Sequence, residues 1–211
     1  MEPGISPGEI PPFHHLDEYT FESLCRDLLD AEESVETCDE YGKRGQTQYG
    51  VDLLAHRADG CGIELGQCKR YASCTSRKIV EVRERFFDHY GAGKHWQPGT
   101  VKRFILFITC DLSSTDLQGI IGNEREKFKH FGIRYEVWGP AKIRNKLRPH
   151  PSIVSTYLTN PEYWVKSICG VTTQTATSSE DFPQGASNLS SVRRLWHSRK
   201  TARWMRYFSP S

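Results

Sequence analysis

The segment "VKRFILFIT", residues 101–109, constrains this chain more than any other stretch. Successive side chains of a strand point to opposite faces. A strand apolar at consecutive positions, as Phe104 to Ile108 is, therefore needs apolar cover on both sides. That is the pattern of a central strand buried within a layered α/β domain.

The flanking text supplies the layers. "LDEYTFESLCRDLL" places Leu16, Phe21, Leu24, Leu28 and Leu29 at helical spacing. "SVETCDE" suits a short edge strand, and "YGKRGQTQYG" is a polar, glycine-punctuated loop. Strands follow at about 50–57 and 62–70, joined by "ADGCG", whose Asp-Gly pair is a hairpin signal. "TSRKIVEVRERFFDHYGAG" carries Ile79, Val82 and Phe86 at helical spacing and ends in glycines that suit a helix terminus. After the hydrophobic strand, "STDLQGIIGNEREKFKHFG" predicts a helix capped by Ser113, Ser114 or Thr115. "IRYEVWG" predicts a strand, and "PAKIRNKL" a short helix opened by proline. This order predicts an α/β sandwich with a central mixed β-sheet flanked by helices.

The 211 residues, 37% hydrophobic and 26% charged, suit one globular domain. The expected divisions are a flexible leader over 1–15, a folded domain over 16–169, a disordered Ser/Thr/Gly-rich linker over 170–191 and a basic aromatic tail over 192–211. No transmembrane run of about 18 apolar residues and no signal-peptide segment is visible, so a cytoplasmic location is expected. Seven cysteines without CxxC spacing argue against a disulfide framework and a structural zinc site. Net charge is +2, and the tail alone holds Arg193, Arg194, Arg199, Lys200, Arg203 and Arg206 with no acid between Val192 and Phe208. The body is therefore close to neutral, which argues only weakly for nucleic acid. The tail suits salt-sensitive DNA contact, with its tryptophans stacking on bases, and equally a protein partner or a membrane surface.

The chemistry sits in "QYGVDLLAHRADGCGIELGQCKRY". Gln67 and Lys69 share a strand face with Leu65, while Gly66 and Cys68 take the other. A turn near Asp59 and Gly60 brings Asp52 toward both of them. A carboxylate, an amide and an ammonium converging at one sheet end match a metal-dependent phosphodiesterase. Asp52 would hold Mg²⁺, Gln67 would ligate the ion or orient its water, and Lys69 would orient the attacking water and stabilise phosphorane charge. One carboxylate is thin for such a site. Glu22, at the border of the buried helix stripe beside Phe21 and Leu24, is the best candidate for a second.

"FESLCRDLL" followed by "YGVDLLAHRADGCGIELGQCKRY" resembles the PD-(D/E)xK nuclease superfamily, in particular its Mrr-like restriction endonuclease branch. That branch shows a Phe-Glu helix, a Gly-x-Asp strand and a Gln-x-Lys strand. The resemblance spans about residues 16–150 and extends to "FILFITCDLSS…GIRYEVWGPAKIRNKL". It implies a restriction-endonuclease-like sandwich that hydrolyses double-stranded DNA in restriction or antiviral defence. The implied metal ligands are Glu22, Asp52 and Gln67, with Lys69 assisting the nucleophile and Mg²⁺, or Mn²⁺ in its place, as cofactor. The glutamine departs from the wider superfamily's acid, a departure the Mrr-like branch shares. A homodimer, and fusion or association with a larger defence protein, are further implications.

Other readings stay open. Asp52 alone can be a turn-satisfied strand residue, Lys69 a snorkelling edge charge and Glu22 a solvated helix residue. Lys43, Arg44 and Arg70 are candidate phosphate contacts, against a plainly solvated loop. "GAGKH" at 91–95 lacks phosphate-loop spacing, and Trp138 and Trp164 read as packing residues. The alternative function is a catalytically silent nucleic-acid-binding or partner-docking module on the same fold.

Overall fold

A computed structural model of the chain describes residues 8–42, 46 and 48–170. The first helix, α1 (Glu18–Asp30), starts where the Asp17 carboxylate accepts hydrogen bonds from the Tyr19 and Thr20 amides. Such a cap satisfies amides that have no partner within the helix. Its buried stripe is Phe21, Leu24, Cys25, Leu28 and Leu29. Three strands follow: β1 (Val35–Glu40), β2 (Leu53–Arg57) and β3 (Ile63–Lys69). Helix α2 (Ser76–Asp88), capped by Thr75, leads to β4 (Val101–Ile108). Helix α3 (Thr115–Lys129), capped by Ser114, leads to β5 (Arg134–Trp138).

The sheet order is β1-β2-β3-β4-β5. The pairs β1–β2 and β2–β3 are antiparallel, whereas β3–β4 and β4–β5 are parallel, so the sheet is mixed as the sequence predicts. Antiparallel neighbours need only short turns, while the two parallel steps need the crossovers that α2 and α3 supply. Residues 104–108 are all fully buried, with Phe104, Leu106 and Ile108 packed among the α2 and α3 side chains and Ile105 and Phe107 packed against the α1 side.

The sheet lies between two apolar layers. On one side Ile79, Val82 and Phe86 of α2 join Ile121 and Phe128 of α3. On the other α1 joins Ile143 and Leu147 of α4 (Pro140–Leu147), Ile153 and Val154 of α5 (Pro151–Tyr157), and Trp164 of α6 (Pro161–Trp164). Trp138 and Trp164 are core residues, as expected.

Three expectations need correction. The strands expected at 50–57 and 62–70 are shorter, Leu53–Arg57 and Ile63–Lys69. Gly50 belongs to a turn, and Asp52 immediately precedes β2. The leader expected over 1–15 is not loose throughout, because Phe13 is buried in the α1-side core and residues Phe13–His15 form a 3₁₀ turn. The α2 helix stops at Asp88, before the glycines expected to end it, and His89 is its C-cap. The chain after Leu147, for which no element was expected, adds α5, α6 and a π-helical turn at Val165–Cys169. Their short apolar stretches lack enough turns to show a helical period. The linker and tail from residue 171 onward lie outside the described residues.

At the end of the central strands remote from Lys69, charges replace the apolar pattern. Arg103 on β4 bonds Glu64 on β3 through Nε at 2.8 Å, lies 3.1 Å from Glu32 and 3.5 Å from Glu136 on β5. Arg57, Lys142 and Lys146 close this row from its rim. Each buried carboxylate is thereby paired, which burial of charge requires.

Candidate active site

The site begins with the turn Gln48–Val51. The Val51 amide donates to the Gln48 carbonyl at 3.0 Å, and Tyr49 and Gly50 both have positive φ, 51° and 76°. A Cβ at Gly50 would lie 3.3 Å from the α2 backbone at Arg85 and Phe86. Both the left-handed backbone and this approach to α2 favour glycine two residues before Asp52.

The turn delivers Asp52 into a three-sided clamp. Its amide donates to the Gly66 carbonyl at 2.8 Å, and its carbonyl accepts from the Tyr41 amide at 2.7 Å. Leu53, the next residue, pairs with Gly66 as the first step of the regular β2–β3 ladder. The third constraint is the Cys68 amide, which donates to Asp52 Oδ2 at 2.7 Å.

Around that carboxylate the structure brings Lys69 and Glu22, while Gln67 lies two residues before Lys69 on β3 with no hydrogen bond joining it to Asp52 or Glu22. Lys69 Nζ lies 3.6 Å from Asp52 Oδ2. Asp52 is 7% exposed and Gln67 3%, while the Lys69 side chain keeps 21% of its surface. Burial pushes the Asp52 carboxyl up, opposed by the Lys69 ammonium and the Cys68 amide. Gln67 Oε1 is buried without a hydrogen-bond partner. Leu65 packs among the α2 and α3 side chains and Cys68 against α1, so strand alternation assigns Gln67 to Leu65's face.

Glu22, half-buried on α1, is near enough for Asp52 to act on it. Its carboxyl is pushed up to about 7, first by burial and then by the charges of Asp52 and Glu18, with Lys69 pulling the other way. A cation bound there would have to displace that proton.

Arg70 is exposed, and its guanidinium donates to the Leu16 carbonyl at 3.2 Å, tying the end of β3 to the start of α1. It is thus committed in part to an internal contact. Lys43 and Arg44 lie outside the described residues.

Sequence reasoning missed an aromatic brace beside the site. His95 stacks on Tyr49 with centroids 3.8 Å apart, and Tyr41 Oη lies 2.5 Å from His95 Nε2. Trp96 Nε1 donates to the Tyr49 carbonyl at 3.2 Å. The Trp96 amide bonds the His89 carbonyl and the Gly91 amide bonds the Trp96 carbonyl, both at 2.9 Å. These bonds make "GAGKHW" a closed knuckle that holds both sides of the polar loop before Asp52. The only sequence signal was the density of His, Tyr and Trp, which does not by itself reveal a partner.

The fit of these residues to a divalent cation can be judged from their chemistry. Hard cations take oxygen donors. Asp52 and Glu22 supply carboxylates and Gln67 supplies a buried amide oxygen with no other partner. Among the described residues, no three His, Cys, Asp or Glu side chains group as a cage for a metal ion. Two acids, an amide and open positions suit Mg²⁺, which keeps several waters and is completed by substrate oxygens.

No protein-family model, no curated protein and no solved structure matches this chain. Fold and site therefore define it as an α/β domain with a mixed five-stranded sheet and a buried Asp52 paired with a partly exposed Lys69. Among the described residues, no helix is long and apolar enough to cross a membrane.

Proposed function

We propose that the chain is a metal-dependent endonuclease hydrolysing double-stranded DNA, with Asp52, Gln67, Lys69 and Glu22 at its centre, and that it serves restriction or antiviral defence. The observation that carries this reading is the Asp52 clamp: a buried carboxylate fixed by the Cys68 amide, 3.6 Å from an ammonium. Gln67 Oε1, two residues before Lys69 on the same strand, is buried without a partner.

Three backbone and side-chain bonds hold Asp52 in place before any substrate arrives, so its position costs little reorganisation. Asp52, Glu22 and Gln67 Oε1 would hold the ion, Mg²⁺ or Mn²⁺. When bound, the ion neutralises phosphate charge and makes hydroxide accessible near neutral pH. Lys69 keeps its ammonium at the partly exposed margin, where it can donate to a phosphate oxygen or orient the attacking water. As negative charge grows on the phosphorane, that ammonium stabilises it more than the ground state, which is what accelerates hydrolysis.

Cleavage of supercoiled plasmid with Mg²⁺, compared with EDTA, tests the reading. The Asp52→Ala and Lys69→Ala chains should each lose at least about a hundredfold in rate, the usual scale for a charge-stabilising group. Either variant cutting at the parental rate refutes the assignment. DNA binding without Mg²⁺- or Mn²⁺-dependent cleavage would identify a silent binding module instead.

A further inference from the structure

Cys74 and Cys110 are not used by the proposed hydrolysis, yet the fold brings them together beside it. Cys74 lies in the connection between β3 and α2, immediately before the Thr75 cap. Cys110 follows β4 in the connection to α3. The two connections are joined where the Thr109 amide donates to the Lys69 carbonyl at 3.2 Å and Thr109 Oγ1 to the Tyr71 carbonyl at 2.9 Å. Both thiols pack with the α2 and α3 side chains, near enough for each to shift the other's proton affinity.

Their environments differ in the way a reactive pair requires. Cys74 is partly exposed and Cys110 is 4% exposed. The neighbouring Cys110 thiol lowers the Cys74 thiol below its ordinary range, against the effect of burial, and the Lys78 ammonium assists. Its place at the start of a thirteen-residue helix works in the same direction. The same contact, with burial, raises Cys110. Cys25 and Cys68 share the α1-side core, but both are buried and burial raises both thiols. A peroxide reaches Cys74 and not that second pair.

We propose that Cys74 and Cys110 form a peroxide-sensitive thiol pair that closes into a reversible disulfide between the β3–α2 and β4–α3 connections. In the first step the Cys74 thiolate attacks one oxygen of hydrogen peroxide. An S–O bond forms, the O–O bond breaks, and the departing hydroxide takes up the proton lost by Cys74. In the second step Cys110 sulfur attacks Cys74 sulfur, the S–S bond forms and the S–O bond breaks, and hydroxide leaves with the Cys110 proton as water. Two thiols and one peroxide give one disulfide and two waters, the sulfurs losing two electrons to the peroxide oxygens. The proposal does not depend on the nuclease reading, because its product is covalent and detected directly.

The test uses the full chain, reduced and then treated with a slight excess of hydrogen peroxide at neutral pH. The remaining thiols are blocked and the protein is digested without reductant for mass spectrometry. The expected result is a cross-linked peptide pair joining Cys74 and Cys110, two hydrogens lighter than the reduced pair. Two of the seven thiols are lost and return on adding a thiol reductant. Cys110→Ser should leave a Cys74 sulfenic acid that dimedone traps, and Cys74→Ser should leave Cys110 reduced. In the untreated protein, iodoacetamide should label Cys74 at least ~10-fold faster than Cys110. Recovery of Cys74 in a bridge to another cysteine or another copy, or its labelling no faster than Cys110, would overturn the proposal. The wild-type peptide map decides the question even if a serine variant fails to fold.

Discussion

Replacing Gln67 by leucine separates the cost of the site from its use. Gln67 is 3% exposed, and its Oε1 has no hydrogen-bond partner. A buried polar group left unpaired costs about 1–3 kcal/mol. Leucine has a similar volume and no oxygen to desolvate, and it continues the apolar face that Leu65 begins. Gln67→Leu should therefore raise unfolding free energy by about 1–2 kcal/mol once imperfect packing is subtracted. For a domain of this size that is roughly 2–8 °C in melting temperature. Denaturation in EDTA should read this gain. Mg²⁺-dependent cleavage by the same variant should fall by ~10–100-fold, since a group that ligates or orients at the ion is gone. Loss of more than about 1 kcal/mol of stability would refute the reasoning, because it would mean that the oxygen is satisfied in the folded protein. Greater stability with unchanged cleavage would remove Gln67 from the site.

Three further outcomes follow from the same geometry. The Glu22 carboxyl, pushed up to about 7 from 4.5, contributes stability that is complete below 4.5 and lost as pH rises through 7. Divalent-ion affinity should climb over that window, and Asp52→Asn should shift the climb to lower pH, as an ion titration at several pH values would register. Gly50→Ala introduces a left-handed alanine and a 3.3 Å approach to the α2 backbone. It should cost about 1–2 kcal/mol in chemical denaturation and reduce cleavage by moving Asp52; a neutral effect on both would show that the turn does not set the carboxylate. Arg103→Met removes the cation from Glu64, which is 1% exposed, and should destabilise by about 3–5 kcal/mol in the same denaturation assay.

The sequence by itself determined the layered architecture and the elements of the sheet. A strand apolar at five consecutive positions must be covered on both faces, and helical periodicity in α1, α2 and α3 shows what covers it. These are local patterns, readable within one element. The approach of Lys69 to Asp52 was legible for a related reason: an antiparallel hairpin makes positions distant in sequence neighbours by simple counting from its turn. The tertiary structure alone decided what holds and tunes them. Tyr41 clamps Asp52 from just after β1, His95 and Trp96 brace its turn from beyond α2, and Glu22 meets its charge from α1. Arg103 finds three acids, on β3, on β5 and in the α1–β1 loop, and Cys74 lies near Cys110 across a parallel crossover. Such pairings depend on how elements far apart in the chain are juxtaposed, a consequence of the whole core packing at once that no window of sequence contains.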